Sequence, residues 1–383
     1  MRYLPSKLPR TIVAGVLAVA GVALVPGPAS AHSTSTHGGY VYVDDNTAGT
    51  NTVAAFTEGA SGTLAPLRGS PFNVGGAGTG AGLASQGAIQ ISSNRRYVLA
   101  VDAGSNQVSV LRIKRDGALK LVDVVSSNGT GPVSVAEHDG LVYVANAGVG
   151  GENYTGFYLG KRGRLRPLAD STVTLPDSAQ PGDVLFNSTG SNLVGTRVGS
   201  SQIDSFSVGA DGRLTAAPGS PYAAQAAGPF GSEFRPTAPS QLFVSNAHAG
   251  AGNGTVSAFS VASDGTLSSI GDSPFADNQT APCWVEITHD GRYLFTVNTM
   301  SSSISSYRIA SDGTLALLGS TQVGSQPGIV PVDARLSADG KTLYVDESGA
   351  ASIGVFDVDG GQLTAEGSVS LPAGATPAGL AVK

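Results

Sequence analysis

Five charged residues share one sequence context. Asp183 and Asp333 lie two positions after a proline, and Glu233, Glu286 and Arg335 lie four positions after one, in "PGDVLF", "PFGSEF", "PCWVEI" and "PVDARL". In each stretch the residues at the other parity are mostly apolar, such as Val184, Phe186, Phe230, Phe234, Cys283, Val285, Ile287 and Leu336. A strand sends alternate side chains to opposite faces, so the charged set shares one face and the apolar set packs on the other. Gln90, Ser92, Ser134 and Trp284 fall on the charged face by the same count. Carboxylates held close raise one another's pKa, which turns them into acids and bases near neutral pH. A solvated polar wall would need the same residue types and no chemistry.

These strands belong to a repeat. The triplet Gly-x-Leu recurs seven times, at Gly62, Gly117, Gly163, Gly212, Gly265, Gly313 and Gly361, at intervals of 55, 46, 49, 53, 48 and 48 residues. Asp-Gly turns such as those in "SVLRIKRDGALKLV" and "SSYRIASDGTLALL" join two strands into a hairpin. Before each hairpin comes a short apolar strand that ends in Asn or Asp, as in "VYVAN", "LFVSN" and "LFTVN". "LVGTR" (193–197) departs from the pattern by ending in Arg197. A period near 50 with about four strands per unit is the signature of a propeller blade. The predicted fold is all-β: a seven-bladed β-propeller of four-stranded antiparallel blades over residues 40–383. The first unit lacks an inner strand and "PAGLAVK" is an inner strand without a unit, so the two ends are expected to pair and close the ring.

Strand connections bring further candidates to the face that bears the Asn/Asp ends. Arg197 offers a bidentate clamp for a substrate carboxylate. His248 offers a general base beside Glu233 and Glu286. Trp284, the only tryptophan, either stacks on a sugar or flat ring or packs between blades. Asp183, Asp333 and Arg335 complete the expected substrate-binding set. No metal site is expected. Calcium has only the general acidity of this face in its favour, because no contiguous calcium loop is present. Serine-hydrolase and phosphate-loop signatures are absent.

Composition narrows the partners. Charged residues make up 13% of the chain, against the usual ~25%, and glycine is abundant at 53 of 383. Arg2, Lys7 and Arg10 precede the apolar run 11–25, and "ASA" (29–31) is a small-x-small cleavage site. Residues 1–31 therefore read as a secretory signal, 32–39 as a flexible leader, and the protein as extracellular. Loss of 1–31 removes three basic residues and leaves 19 basic against 28 acidic, a net charge of −9. That balance excludes nucleic acid and an anionic membrane surface as partners. A small-molecule or carbohydrate-like ligand and a monomeric state are expected. Cys283 stands alone, so no internal disulfide forms, and its apolar neighbours make it a small buried hydrophobe.

The stretch "PCWVEITHDGRYLFTVNTMSSSISSYRIASDGTLALL" resembles a unit of the seven-bladed lactonase-like propellers, which include bacterial 6-phosphogluconolactonase and fungal carboxymuconate cyclase, and also the YVTN-type surface propellers. The resemblance covers nearly all of residues 40–383. It implies hydrolysis or formation of a lactone, with an inner-strand His, an inner-strand Arg and a Glu after the Asn landmark. Those positions fall here at Gly182, Phe230 and Ala247. Asp183, Glu233 and His248 lie one to three positions away and are the expected substitutes. A non-catalytic propeller that binds a small molecule, glycan or protein is the other reading.

Overall fold

The computed structural model describes residues 38–325 and 328–383, so the expected signal segment 1–31 and most of the leader lie outside the described residues. Seven antiparallel sheets form the seven blades, and no α-helix occurs among the described residues. The inner strands are Gly379–Val382 in blade 1, Ile89–Ile91 in blade 2, Pro132–His138 in blade 3, Pro181–Phe186 in blade 4, Pro229–Arg235 in blade 5, Pro282–Ile287 in blade 6 and Pro331–Leu336 in blade 7. Ring closure is as the sequence predicts. Gly39–Asp44 pairs with Gly379–Val382, with Val41 opposite Val382 and Asp44 opposite Gly379.

All seven glycines of the Gly-x-Leu turns have a positive φ, between 71° and 93°. Any residue with a Cβ is strained there, so the repeat spells glycine. The turn also fastens one blade to the previous one. Tyr42 donates to the carbonyl of Gly117 at 2.8 Å, Tyr143 to Gly212 at 2.9 Å and Tyr344 to Gly62 at 3.0 Å. Each of these tyrosines is fully buried. The apolar faces of adjacent blades meet in separate layers, such as Tyr42, Val53 and Ala55 of blade 1 against Ile89, Val98 and Leu111 of blade 2.

Three details depart from the simple alternation. The outermost strand of blades 1, 3, 4 and 5 is split into two short pieces. In blades 1, 4 and 5 the break holds Pro71, Pro221 or Pro274, which cannot donate to the ladder. The inner strands of blades 3 to 7 carry a bulge within their first three residues. A bulge re-aims the side chains beside it. The residue before the opening proline is left-handed in five blades, at Gly131, Gln180, Gly228, Ala281 and Val330.

Candidate functional site

An inner strand is the edge of its blade, so its outward N–H groups lack a ladder partner. Acidic and amide side chains of the preceding blade supply acceptors. Asp183 Oδ2 accepts from the amide of Ser232 at 3.0 Å and from its hydroxyl at 2.6 Å. Glu286 Oε1 accepts from Leu336 N at 2.9 Å, and Asp333 Oδ2 from Leu380 N at 3.0 Å. Gln90 Oε1 takes Glu137 N at 2.6 Å. Much of the polar ring around the channel thus satisfies backbone that the fold leaves open.

Glu233 is different. No hydrogen bond to its carboxyl is found among the described residues. Its side chain faces a cavity of about 410 Å³, whose wall also includes Glu286, Arg335, Asp183 and Gln90. Burial, and then the charge of Glu286, hold the Glu233 carboxyl well above the usual carboxylate range. Burial lifts Glu286 to about 7, against the pull of Arg335 and of the Leu336 amide. Burial likewise lifts Asp183 to about 7, against its Ser232 hydrogen bonds. Arg335 Nη1 reaches Asp333 at 3.1 Å, Glu286 at 3.4 Å and the carbonyl of Ala334 at 2.7 Å. The cavity wall thus brings three carboxyls raised by burial, Glu233, Glu286 and Asp183, together with one fixed cation, Arg335. Arg95, on the turn that follows the inner strand of blade 2, stands at the mouth.

That turn places the cavity at the opposite end of the channel from the Asn/Asp face. The cause is a plug. Residues 82–87, from the glycine-rich stretch before blade 2, cross the channel and attach to four other blades. Ser85 Oγ donates to Val133 O of blade 3 at 2.8 Å, and Gln86 N to Gly182 O of blade 4 at 2.9 Å. The Gln86 side chain donates to Ser232 O of blade 5 and accepts from Val285 N of blade 6, both at 2.9 Å. Trp284 Nε1 donates to Ser85 O at 2.8 Å. A Cβ on Gly231 would strike Gln86 Oε1, so glycine there admits the plug.

Several sequence expectations are corrected by this geometry. On the Asn/Asp face the strand ends Asp44, Asp102, Asn146, Asn246, Asn298 and Asp346 are fully buried, and the two candidates expected there, Arg197 and His248, do not join the carboxylate cavity. Most of these strand ends clasp the next strand. Asn146 bonds Asn153 and Asn298 bonds Ser305, each seven residues on and at 2.9 Å. Arg197 is the charged version of that clasp. Its Nε and Nη2 each lie 2.6 Å from the Asp204 carboxylate, again seven residues on, so its fork is taken and it is not a substrate clamp. His248 is exposed, beyond the Asn246 end of blade 5, whereas Glu233 pairs with Phe243 nearer the other end. It therefore does not join Glu233 and Glu286. Asp333 is wholly buried against Leu380 N, Ala334 N and Arg335, and is not on the cavity wall. Trp284 is buried edge-on to Phe230, with ring centroids 5.0 Å apart, and lies on the other side of the plug. Sequence reasoning missed the plug and Arg95. The one available signal was the pair of small residues, Gly182 and Gly231, at inner-strand positions that Gln86 approaches.

The profile of the lactonase family of seven-bladed β-propellers matches residues 35–149 and 193–382. The chain belongs to this family. Solved structures show the same fold. A candidate 6-phosphogluconolactonase from Bacteroides uniformis is 22% identical, with 90% of this chain and 99% of that chain covered and a TM-score of 0.72. One from Bacteroides fragilis is 22% identical, with 92% and 99% covered and a TM-score of 0.70. The periplasmic gluconolactonase of Pseudomonas aeruginosa is 18% identical, with 90% and 98% covered and a TM-score of 0.68. No curated protein matches the chain.

Within this lactonase-family propeller, the positions that the sequence resemblance assigns to His, Arg and Glu hold Gly182, Phe230 and Ala247. Phe230 and Ala247 belong to one apolar core cluster with Cys283 and Trp284. The acidic groups of the Asn/Asp end, Asp44, Asp102 and Asp346 among them, are buried in the scaffold, while Glu233 and Glu286 stand on a cavity wall at the other end of the channel. Among the described residues no group of three or more His, Cys, Asp or Glu side chains is arranged to hold a metal ion.

Proposed function

We propose that this protein hydrolyses, or in reverse forms, a lactone ring on a small sugar-acid or other carboxylate substrate, and does so in the cavity of Glu233 and Glu286. The observation that supports the reading best is Glu233, a recessed carboxyl on the cavity wall without a hydrogen-bond partner among the described residues, raised well above the usual carboxylate range by burial and by the charge of Glu286, which burial itself lifts to about 7. Glu286, once ionised, takes a proton from water as the water oxygen attacks the lactone carbonyl. Arg335 stabilises the negative charge that develops on the carbonyl oxygen. Glu233 gives its proton to the ring oxygen as the acyl–oxygen bond breaks. Arg95 at the mouth attracts a substrate carboxylate. We further propose that the protein acts outside the cell, on the strength of the basic, apolar and small-residue pattern of 1–31.

The competing reading, a binding module without turnover, has one observation in its favour: Asp183, Glu286 and Asp333 all have structural hydrogen bonds. Proton release at constant pH, measured over a panel of sugar and aliphatic lactones, separates the two. Turnover is expected in the parent, with a bell-shaped pH profile whose rising limb lies near 7. Glu233→Gln and Glu286→Gln are each expected to lower kcat by roughly 100-fold or more while the fold persists. Absence of turnover across the panel, or full activity in both variants, would remove the lactonase reading.

A further inference from the structure

On the other side of the plug lies a second cavity of about 230 Å³. Its wall is Leu83 of the plug, Phe230, Cys283 and Trp284 from blades 5 and 6, and Val330 and Val332 from blade 7. The polar side chains beside it are engaged elsewhere. Ser85 Oγ donates to Val133 O, Thr299 Oγ1 to Pro331 O at 3.1 Å, and Ser348 Oγ to Val330 O at 3.1 Å. The indole N–H of Trp284 is held by Ser85 O. Burial pushes the Cys283 thiol up to about 11, so it stays a neutral thiol in the wall. What this cavity offers a guest is apolar surface and ring edges.

The rim carries a second sign. The scaffold requires a left-handed residue before each of five opening prolines, and three of the other blades answer with Gly or Ala. Blade 7 places Val330 there at φ 49°, a costly conformation for a β-branched residue. Its side chain is 38% exposed at the cavity edge, and Met300, on the same face beside the wall residue Thr299, is 74% exposed. An apolar rim that the backbone alone does not favour is explained by a guest that it covers.

We infer that this cavity binds an uncharged, single-ring apolar molecule, aromatic or alicyclic, independently of the carboxylate cavity. The volume suits one ring: a dry apolar cavity of ~150 Å³ holds benzene, and no polar group here calls for a hydrogen-bonding ligand. The ring would lie against the Trp284–Phe230 pair, where edge-to-face contact is favoured.

Trp284, the only tryptophan, is its own reporter. Toluene is titrated into the full chain and the indole emission followed. The expected result is a saturable change, weakened at least about ten-fold by Val332→Phe, which fills the cavity, and untouched by Glu286→Gln in the other cavity. A linear, unsaturable response, or a Val332→Phe curve that overlays the parent, would overturn the inference. Should Val332→Phe fail to fold, Leu83→Ala enlarges the same cavity and should shift preference from toluene towards naphthalene. An unchanged preference would equally overturn it. Lactone turnover tests the other cavity alone, so the two proposals fail separately.

Discussion

The Arg197–Asp204 clasp gives the sharpest test of how this ring is built. Two contacts of 2.6 Å join side chains that are only 11% and 3% exposed, and Tyr154 adds a third bond to Asp204 at 3.1 Å. Arg197→Asn would leave the Asp204 carboxylate buried without its cation, a loss of about 3–5 kcal/mol. The mirror change, Asp204→Ser, strands the guanidinium and should cost a similar amount. The double variant rebuilds the neutral clasp seen at Asn298 and Ser305, where one bond of 2.9 Å suffices. A net contribution of about 1 kcal/mol for such a bond means that the double variant should be more stable than either single one. Urea unfolding of the four proteins measures this directly. A cost below about 1 kcal/mol for Arg197→Asn would place the pair among solvent-screened surface pairs and refute the argument. So would a loss of lactone turnover with unchanged stability, because it would return the guanidinium to the ligand.

Two further outcomes are expected. Asp102 and Asp277 are lifted by burial to about 6, and Asp45 to about 7 like Asp183 and Glu286, whereas unfolded carboxyls titrate near ~4. The unfolded chain loses these protons first, so stability should fall as pH rises from about 4 to 7; an unfolding midpoint in urea that is higher at pH 8 than at pH 5 would contradict this. Gln86→Ala leaves Ser232 O and Val285 N without their plug partners, at an expected cost of about 1–3 kcal/mol by the same denaturation assay.

The ring was legible because its turn must be glycine and the second strand of each blade ends in a polar clasp. Those constraints repeat, so they show as spacing. The charged inner-strand residues were also legible as a group, but their roles were not. Whether a carboxylate accepts from the next blade, as Asp333 does, or stays free, as Glu233 does, depends on bulges and on a neighbour some 50 residues away. Arg197 looked like an anomaly only while its partner seven residues on went unread. The plug was the least legible element. "GGAGTGAGLASQG" has the composition of a slack linker, and its fixed course depends on carbonyl groups and amides that every sequence possesses.

A hoop whose members touch only their neighbours has one soft deformation: it flattens into an oval. Residues 82–87 act against that mode as a spoke does in a wheel, because hydrogen bonds from one short segment tie blades 3, 4, 5 and 6 to the entry of blade 2. Flattening the ring would stretch some of these ties and compress others. The width between Glu233 and the opposite wall is therefore set before any ligand arrives, and little binding energy is diverted to shaping the cavity.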